Sequence, residues 1–114
     1  MKEVRRTLAK KLAGAQRRSR LKARACTIRL AELLRLYEQQ RGLCAVSGKA
    51  LAVLSTDDGP DSITIDRRDS SIGYEDGNVR LVCLAVNLMM NRWGDRAYHD
   101  FAASTEAMET IGPA

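Results

Sequence analysis

The stretch that leaves this chain least choice is residues 63–91, ITIDRRDSSIGYEDGNVRLVCLAVNLMMN, where two short β-prone runs and a helix-prone run follow one another. Ile63-Thr64-Ile65-Asp66 alternates apolar and polar side chains with the period of two that a half-buried strand requires, and Asn78-Val79-Arg80-Leu81-Val82 resumes strand character. A polar loop through Gly73 and Gly77 separates them, and Leu84 to about Arg92 reads as helix. A strand ending in an acid, a loop, a strand and a helix bring Asp66 towards Asn87 and Asn91, which stand four residues apart on one helical face. Three oxygen donors can converge there. Such a set, with positions left for water and phosphate, suits Mg²⁺ or Mn²⁺ better than zinc, which prefers sulfur and imidazole.

The rest of the chain frames this unit. Lys2 to Ala25 is rich in Ala, Leu, Lys and Arg without Pro and predicts a basic helix with a thin apolar stripe at Leu8, Leu12, Ala15 and Ala23. Thr27 reads as the N-cap of a second helix, Ile28 to about Gln40, whose Leu30, Leu33, Leu34 and Tyr37 share one face, with Gly42 supplying a left-handed C-cap. Leu43 to Val46, a Ser47-Gly48 turn and Ala50 to Leu54 read as a strand, a turn and a further apolar piece, followed by a polar loop over 55–62. After Gly94, Asp95 to Met108 predicts a last amphipathic helix carrying Tyr98, Phe101 and Ala102. At 114 residues this amounts to one small domain, divided here into a basic N-terminal helix or arm over 1–25 and a folded unit over 26–110.

Charge is unevenly spread. Residues 1–24 hold ten Lys or Arg against the single acid Glu3, a net +9, while the remaining ninety residues hold nine bases and thirteen acids, a net −4. A polyanion touching Arg5, Arg6, Lys10, Lys11, Arg17, Arg18, Arg20, Lys22 and Arg24 is the natural partner, because neutralising phosphates releases counterions. No apolar run is long enough for a membrane span, and no apolar segment follows the first basic residues as a secretory signal would need. A cytoplasmic protein of a bacterial or phage-infected cell, with no membrane partner, is the expectation. Cys26, Cys44 and Cys83 contain no CxxC pair, which argues against a disulfide framework and against a complete structural zinc site.

Ile65-Asp66-Arg67-Arg68-Asp69, Gly73-Tyr74, Gly77-Asn78-Val79 and Val86-Asn87, in this order and spacing, resemble small phage and bacterial HNH endonucleases, with further likeness at Ala15 to Arg20 and at Cys44-Ala45-Val46-Ser47-Gly48. The resemblance implies an α+β fold: a ββα-metal (His-Me finger) core with flanking helices and a basic N-terminal helix. It also implies hydrolysis of DNA phosphodiesters, double-stranded DNA above all and approached from the minor groove, by a monomer or a homodimer. On this likeness Asp66 and Asn87 match metal ligands, and Asn91 matches a ligand position that some members use. Asn78 matches the residue that pins the loop between the strands, and Arg68 joins the phosphate contacts.

Arg67 stands where the family usually has the histidine that serves as general base. Guanidinium stays protonated and cannot accept a proton near neutral pH, but its fork geometry suits a phosphate clamp. The water proton then goes to hydroxide on the metal, to Asp69 or to the phosphate. Endonuclease VII-like relatives carry two CxxC pairs, and Cys44 and Cys83 fall at the first cysteine of each, with Ser47 and Val86 in the partner places, so packing is expected in place of zinc.

Other readings stand beside these. Asp66 is an ordinary strand-end residue in isolation, Met89, Met90 and Trp93 read as core with Trp93 alternatively flanking DNA, and Asp57, Asp58 and Asp61 as a solvated loop. His99 lies outside the motif. The rival from another class is a DNA-binding or regulatory protein that keeps the HNH scaffold without hydrolysis. A role with RNA is a third.

Overall fold

The computed structural model describes residues 2–53 and 59–111. Among these residues there are four helices, α1 (Lys2–Leu21), α2 (Leu30–Gln39), α3 (Leu84–Trp93) and α4 (Asp95–Ile111), and a two-stranded antiparallel sheet of β1 (Ile63–Arg67) and β2 (Val79–Cys83). The fold is α+β, as expected. Asp57 and Asp58 of the polar loop, and Leu54 before it, lie outside the described residues.

Two helix ends differ from the sequence reading for the same reason. Helix α1 stops at Leu21 because Ala23 adopts a left-handed conformation (φ 49°), letting the Arg24 N–H bond the Ser19 carbonyl at 2.8 Å and the Ala23 N–H bond that of Arg20 at 3.3 Å. This double bond closes the last-turn carbonyls of a helix without glycine. Helix α2 ends in the same way one residue earlier than expected: Arg41 (φ 57°) takes the left-handed place, its N–H bonding Glu38 O, and the Gly42 N–H bonds Tyr37 O at 3.0 Å. Gly42 is itself left-handed (φ 70°).

Thr27 is not an N-cap. The Thr27 and Ile28 N–H groups both donate to the Tyr74 carbonyl, at 2.9 and 3.0 Å, so this linker is tied to the inter-strand loop and α2 starts later. Arg29 precedes the first turn, and the Glu32 carboxylate accepts its N–H at 3.0 Å. Gly73 makes the docking possible, since a Cβ there would meet the Ala25 carbonyl oxygen at 2.1 Å.

The hairpin register pairs Ile63 with Cys83, Ile65 with Leu81, Asp66 with Arg80 and Arg67 with Val79. Ile63 and Leu81 are buried in one aliphatic core with Val4, Leu8 and Ala15 of α1 and Leu33 of α2, so the N-terminal segment and the remainder share that core. The Thr7 hydroxyl donates to the Val53 carbonyl at 2.6 Å and ties α1 down further. The outer edge of β2 is occupied: Gln40 gives its amide N–H to Leu81 O and accepts Leu81 N–H, and Ala45 N–H also reaches Leu81 O. An edge so covered has few groups left to recruit another chain.

Behind the hairpin, α3 buries Val86 and Met90. Trp93 does not join the core. It is 66% exposed with the Arg92 guanidinium 5.9 Å over its ring, while Tyr98 of α4 packs against the core after the turn at Gly94. Phe101 is likewise exposed. No helix among the described residues is long and apolar enough to cross a membrane.

Candidate nucleic-acid and metal site

A cavity of about 300 Å³ opens along β1 between α1 and α3. Asp66, Arg67, Asn87 and Asn91 all line it, joined by Lys11 and Arg18 of α1. Strand alternation explains the division of β1: Thr64 and Asp66 stand on one side of the sheet and Ile65 and Arg67 on the other.

On the Asp66 side a polar chain runs inward from α3. The Asn91 amide donates to Asn87 Oδ1 at 2.9 Å, the Asn87 amide donates to Thr64 Oγ1 at 2.9 Å, and the Thr64 hydroxyl donates to the Val82 carbonyl at 2.8 Å. Each member thereby orients the next, and the oxygen of Asn87 retains a lone pair beyond the one Asn91 uses. Asp66 is 6% exposed, and its Oδ2 accepts the Nε–H of Arg80 at 2.8 Å. Arg80 also donates to Asp95 at 3.1 Å. Burial works against the Arg80 charge, but the two carboxylates outweigh it and raise its pKa above the ordinary guanidinium value.

On the other side, Arg67 is held by the loop that follows it. Its Nη1 donates to the carbonyls of Ser70 (2.9 Å) and Ile72 (3.3 Å), and its guanidinium lies 5.3 Å over the Tyr74 ring. That loop is fixed by Asn78, a buried residue whose amide donates to Asp69 O (3.1 Å) and Gly73 O (2.9 Å) while its Oδ1 accepts the Asp69 N–H at 3.0 Å. Asn78 thus stands behind the cavity, holding the segment that holds Arg67. Gly77 (φ 84°) supplies the left-handed residue before it.

Asp69 is not among the residues lining the cavity. The Ser71 hydroxyl (2.6 Å) and N–H (2.9 Å) hold its carboxyl below the usual carboxylate range, which makes it a weaker base. Of the basic residues singled out from sequence, Lys11, Arg18 and Arg67 line this cavity and Lys22 and Arg24 line a smaller one beside it. Arg5, Arg6, Lys10, Arg17, Arg20 and Arg68 are exposed and line neither. His99 is exposed, edge-on to Tyr98.

Among the described residues no group of three His, Cys, Asp or Glu gathers in one place, so the converging donors are one carboxylate and two amides. Cys44 and Cys83 form a separate buried corner, where Cys44 Sγ accepts the N–H of Ser47 (3.5 Å) and of Cys83 (3.4 Å). Burial pushes both thiols up. Bonds from Ser47, Cys83 and Val46 overcome this at Cys44 and lower its pKa, while Cys83, beside Cys44, stays raised.

Three participants were missed from sequence. Thr64 shares a strand face with Asp66 and could have been found by alternation. Tyr74 was noted only as part of a motif. Arg80 carried no readable signal, because the long loop from Arg68 to Asn78 does not fix which residue faces Asp66. Comparison with known proteins gives no match to a family model, to a curated protein or to a solved structure.

Proposed function

We propose that the chain is a metal-dependent DNA endonuclease of the HNH type, with Asp66, Asn87 and Asn91 as the residues that would hold Mg²⁺ or Mn²⁺. The observation that supports this reading is the meeting of that all-oxygen donor set with three cations, Lys11, Arg18 and Arg67, around one open cavity. No thiol or imidazole lines it, so the donors fit a hard cation better than zinc. The ion, when bound, supplies Lewis-acid stabilisation of the phosphate and of the leaving oxygen.

The protein's own residues do the rest. Lys11 and Arg18 attract and hold phosphate oxygens, and Arg67, already immobilised by Ser70, Ile72 and Tyr74, meets the charge that grows on the phosphate with little reorganisation. Thr64 keeps Asn87 oriented. Arg67 cannot accept the water proton, and Asp69 lies outside the cavity lining.

One observation favours the second reading, a DNA-binding protein without hydrolysis: Arg80 already neutralises the only carboxylate of the set. Supercoiled plasmid incubated with Mg²⁺ or Mn²⁺ separates the two. The endonuclease yields nicked or linear product, lowered at least a hundredfold in Asp66→Ala and Asn87→Ala, on the order of the loss of a key electrostatic group. Absence of product with every divalent metal, or equal cutting by the variants, leaves the second reading.

A further inference from the structure

We infer that the small cavity beside the main one is a subsite for a second phosphate group of the bound strand, with Ser19 as a hydrogen-bond donor to it; the identity of the strand rests on the nucleic-acid reading above. The cavity measures about 50 Å³ and is lined by Arg18, Ser19, Lys22, Arg24, Arg67 and Tyr74. Four of these six carry a positive charge and none a negative one. A space of that size exceeds the roughly 10–15 Å³ that one water requires, which leaves room for the oxygens of one oxyanion group.

The second and independent observation is Ser19 itself. It is 3% exposed, and its hydroxyl is the one buried side-chain polar atom found without a hydrogen-bond partner among the described residues. A serine inside a helix ordinarily turns its hydroxyl back to the carbonyl four residues earlier, but this one does not. A buried hydroxyl left unmade is costly, which points to a partner that arrives with a ligand. A phosphate oxygen is an acceptor for it and simultaneously for the neighbouring guanidinium groups.

The end of a helix is an unfavourable place for an anion, since the carbonyls there carry partial negative charge. At α1 three of the last four carbonyls are already taken: the N–H groups of Lys22, Ala23 and Arg24 bond Arg18 O, Arg20 O and Ser19 O. The cations then decide the local potential. Arg18, Arg67 and Tyr74 line both cavities, so the two sites adjoin and suit successive phosphates of one strand.

The test uses the whole chain without divalent metal and reads binding by amide NMR, so that it can succeed or fail whether or not plasmid is cut. Inorganic phosphate is titrated first, with saturable shifts expected at Ser19, Lys22 and Arg24. Ser19→Ala should bind it about tenfold more weakly, as for a lost hydrogen bond to a charged group, and should also raise Tm, because the unsatisfied hydroxyl is gone. A purely structural serine would not separate affinity from stability in opposite directions. Oligonucleotides with one neutral methylphosphonate at each position in turn then identify the source: one position should weaken the wild type more than it weakens Ser19→Ala. Absence of saturable shifts, equal phosphate binding by Ser19→Ala, or a uniform methylphosphonate effect in both proteins would overturn the subsite.

Discussion

On one face of the β1–β2 hairpin, Ile63, Ile65, Val79, Leu81 and Cys83 are buried and aliphatic or thiol, joined to α1 and α2 through Leu8 and Leu33. On the opposite face, turned towards α3 and α4, stand two separate polar groups, Thr64 bonded to Asn87 and the Asp66–Arg80 pair bonded on to Asp95, with Val82 the apolar residue of that face. The same two strands thus present a surface that is aliphatic except for Arg67 at the end of β1 and a surface that carries polar side chains around Val82. The difference teaches that a thin hairpin can afford polar burial on one side only because the other side is closed by aliphatic packing.

That division can be broken by mutation. Leu81→Ala removes a fully buried side chain from the aliphatic face and should cost about 2–5 kcal/mol in chemical denaturation. The fraction that remains folded should keep its DNA affinity. Such a loss is a large share of the roughly 5–15 kcal/mol of a domain, so Ile63→Val, at about 0.5–1.5 kcal/mol, is the companion if Leu81→Ala does not fold. A drop in affinity per folded molecule in either variant would remove the distinction between the faces.

Arg80→Met tests whether the polar face contributes stability too. The Arg80 and Asp66 side chains are 12% and 7% exposed, and removing one partner of a buried pair strands the other charge, at a cost of about 3 kcal/mol. A change below about 1 kcal/mol, the size of an exposed ion pair, would mean that water from the cavity already solvates Asp66. Thr64→Val sits lower on the scale: it keeps the branched shape, loses the acceptor for Asn87 and should cost about 1 kcal/mol in denaturation. If the proposed endonuclease reading holds, plasmid cutting should fall about tenfold, because Asn87 loses its orientation. Unchanged activity would remove Thr64 from the positioning of that amide.

How much of this was legible depends on the reach of each signal. Period-two alternation over Ile63–Asp66 and β-prone composition over Asn78–Val82 gave both strands, and i, i+4 spacing gave the Asn87–Asn91 pair, because each is a property of a single element. Asn78, Arg67 and Lys11 were readable as residues, and the contacts of Asn78 and Arg67 follow from one loop. Arg80 opposite Asp66, and the exposure of Trp93 after a turn at Gly94, depend on register and on what α4 covers, which no local pattern encodes. The ending of α1 escaped for a related reason: Ala23 bears no sequence mark of a left-handed residue. Ser19 was invisible because an unmade hydrogen bond has no sequence signature.

The smallest effect concerns the loop that joins the faces. Asp69 is depressed by its Ser71 bonds, so whatever it contributes to the loop is present above the ordinary carboxylate pKa and fades as pH falls through its own lower value. Ser71→Ala removes the hydroxyl bond and leaves the Ser71 position's N–H, so the Asp69 pKa should rise towards its ordinary value in carboxyl-carbon NMR, with global stability little changed at this exposed site. The pH–rate profile on plasmid should not follow it, because Asp69 does not line the cavity. A profile that shifts in step with the Asp69 titration would make this carboxylate the base, and would place part of the chemistry on the loop instead of on the α3-facing side of the hairpin.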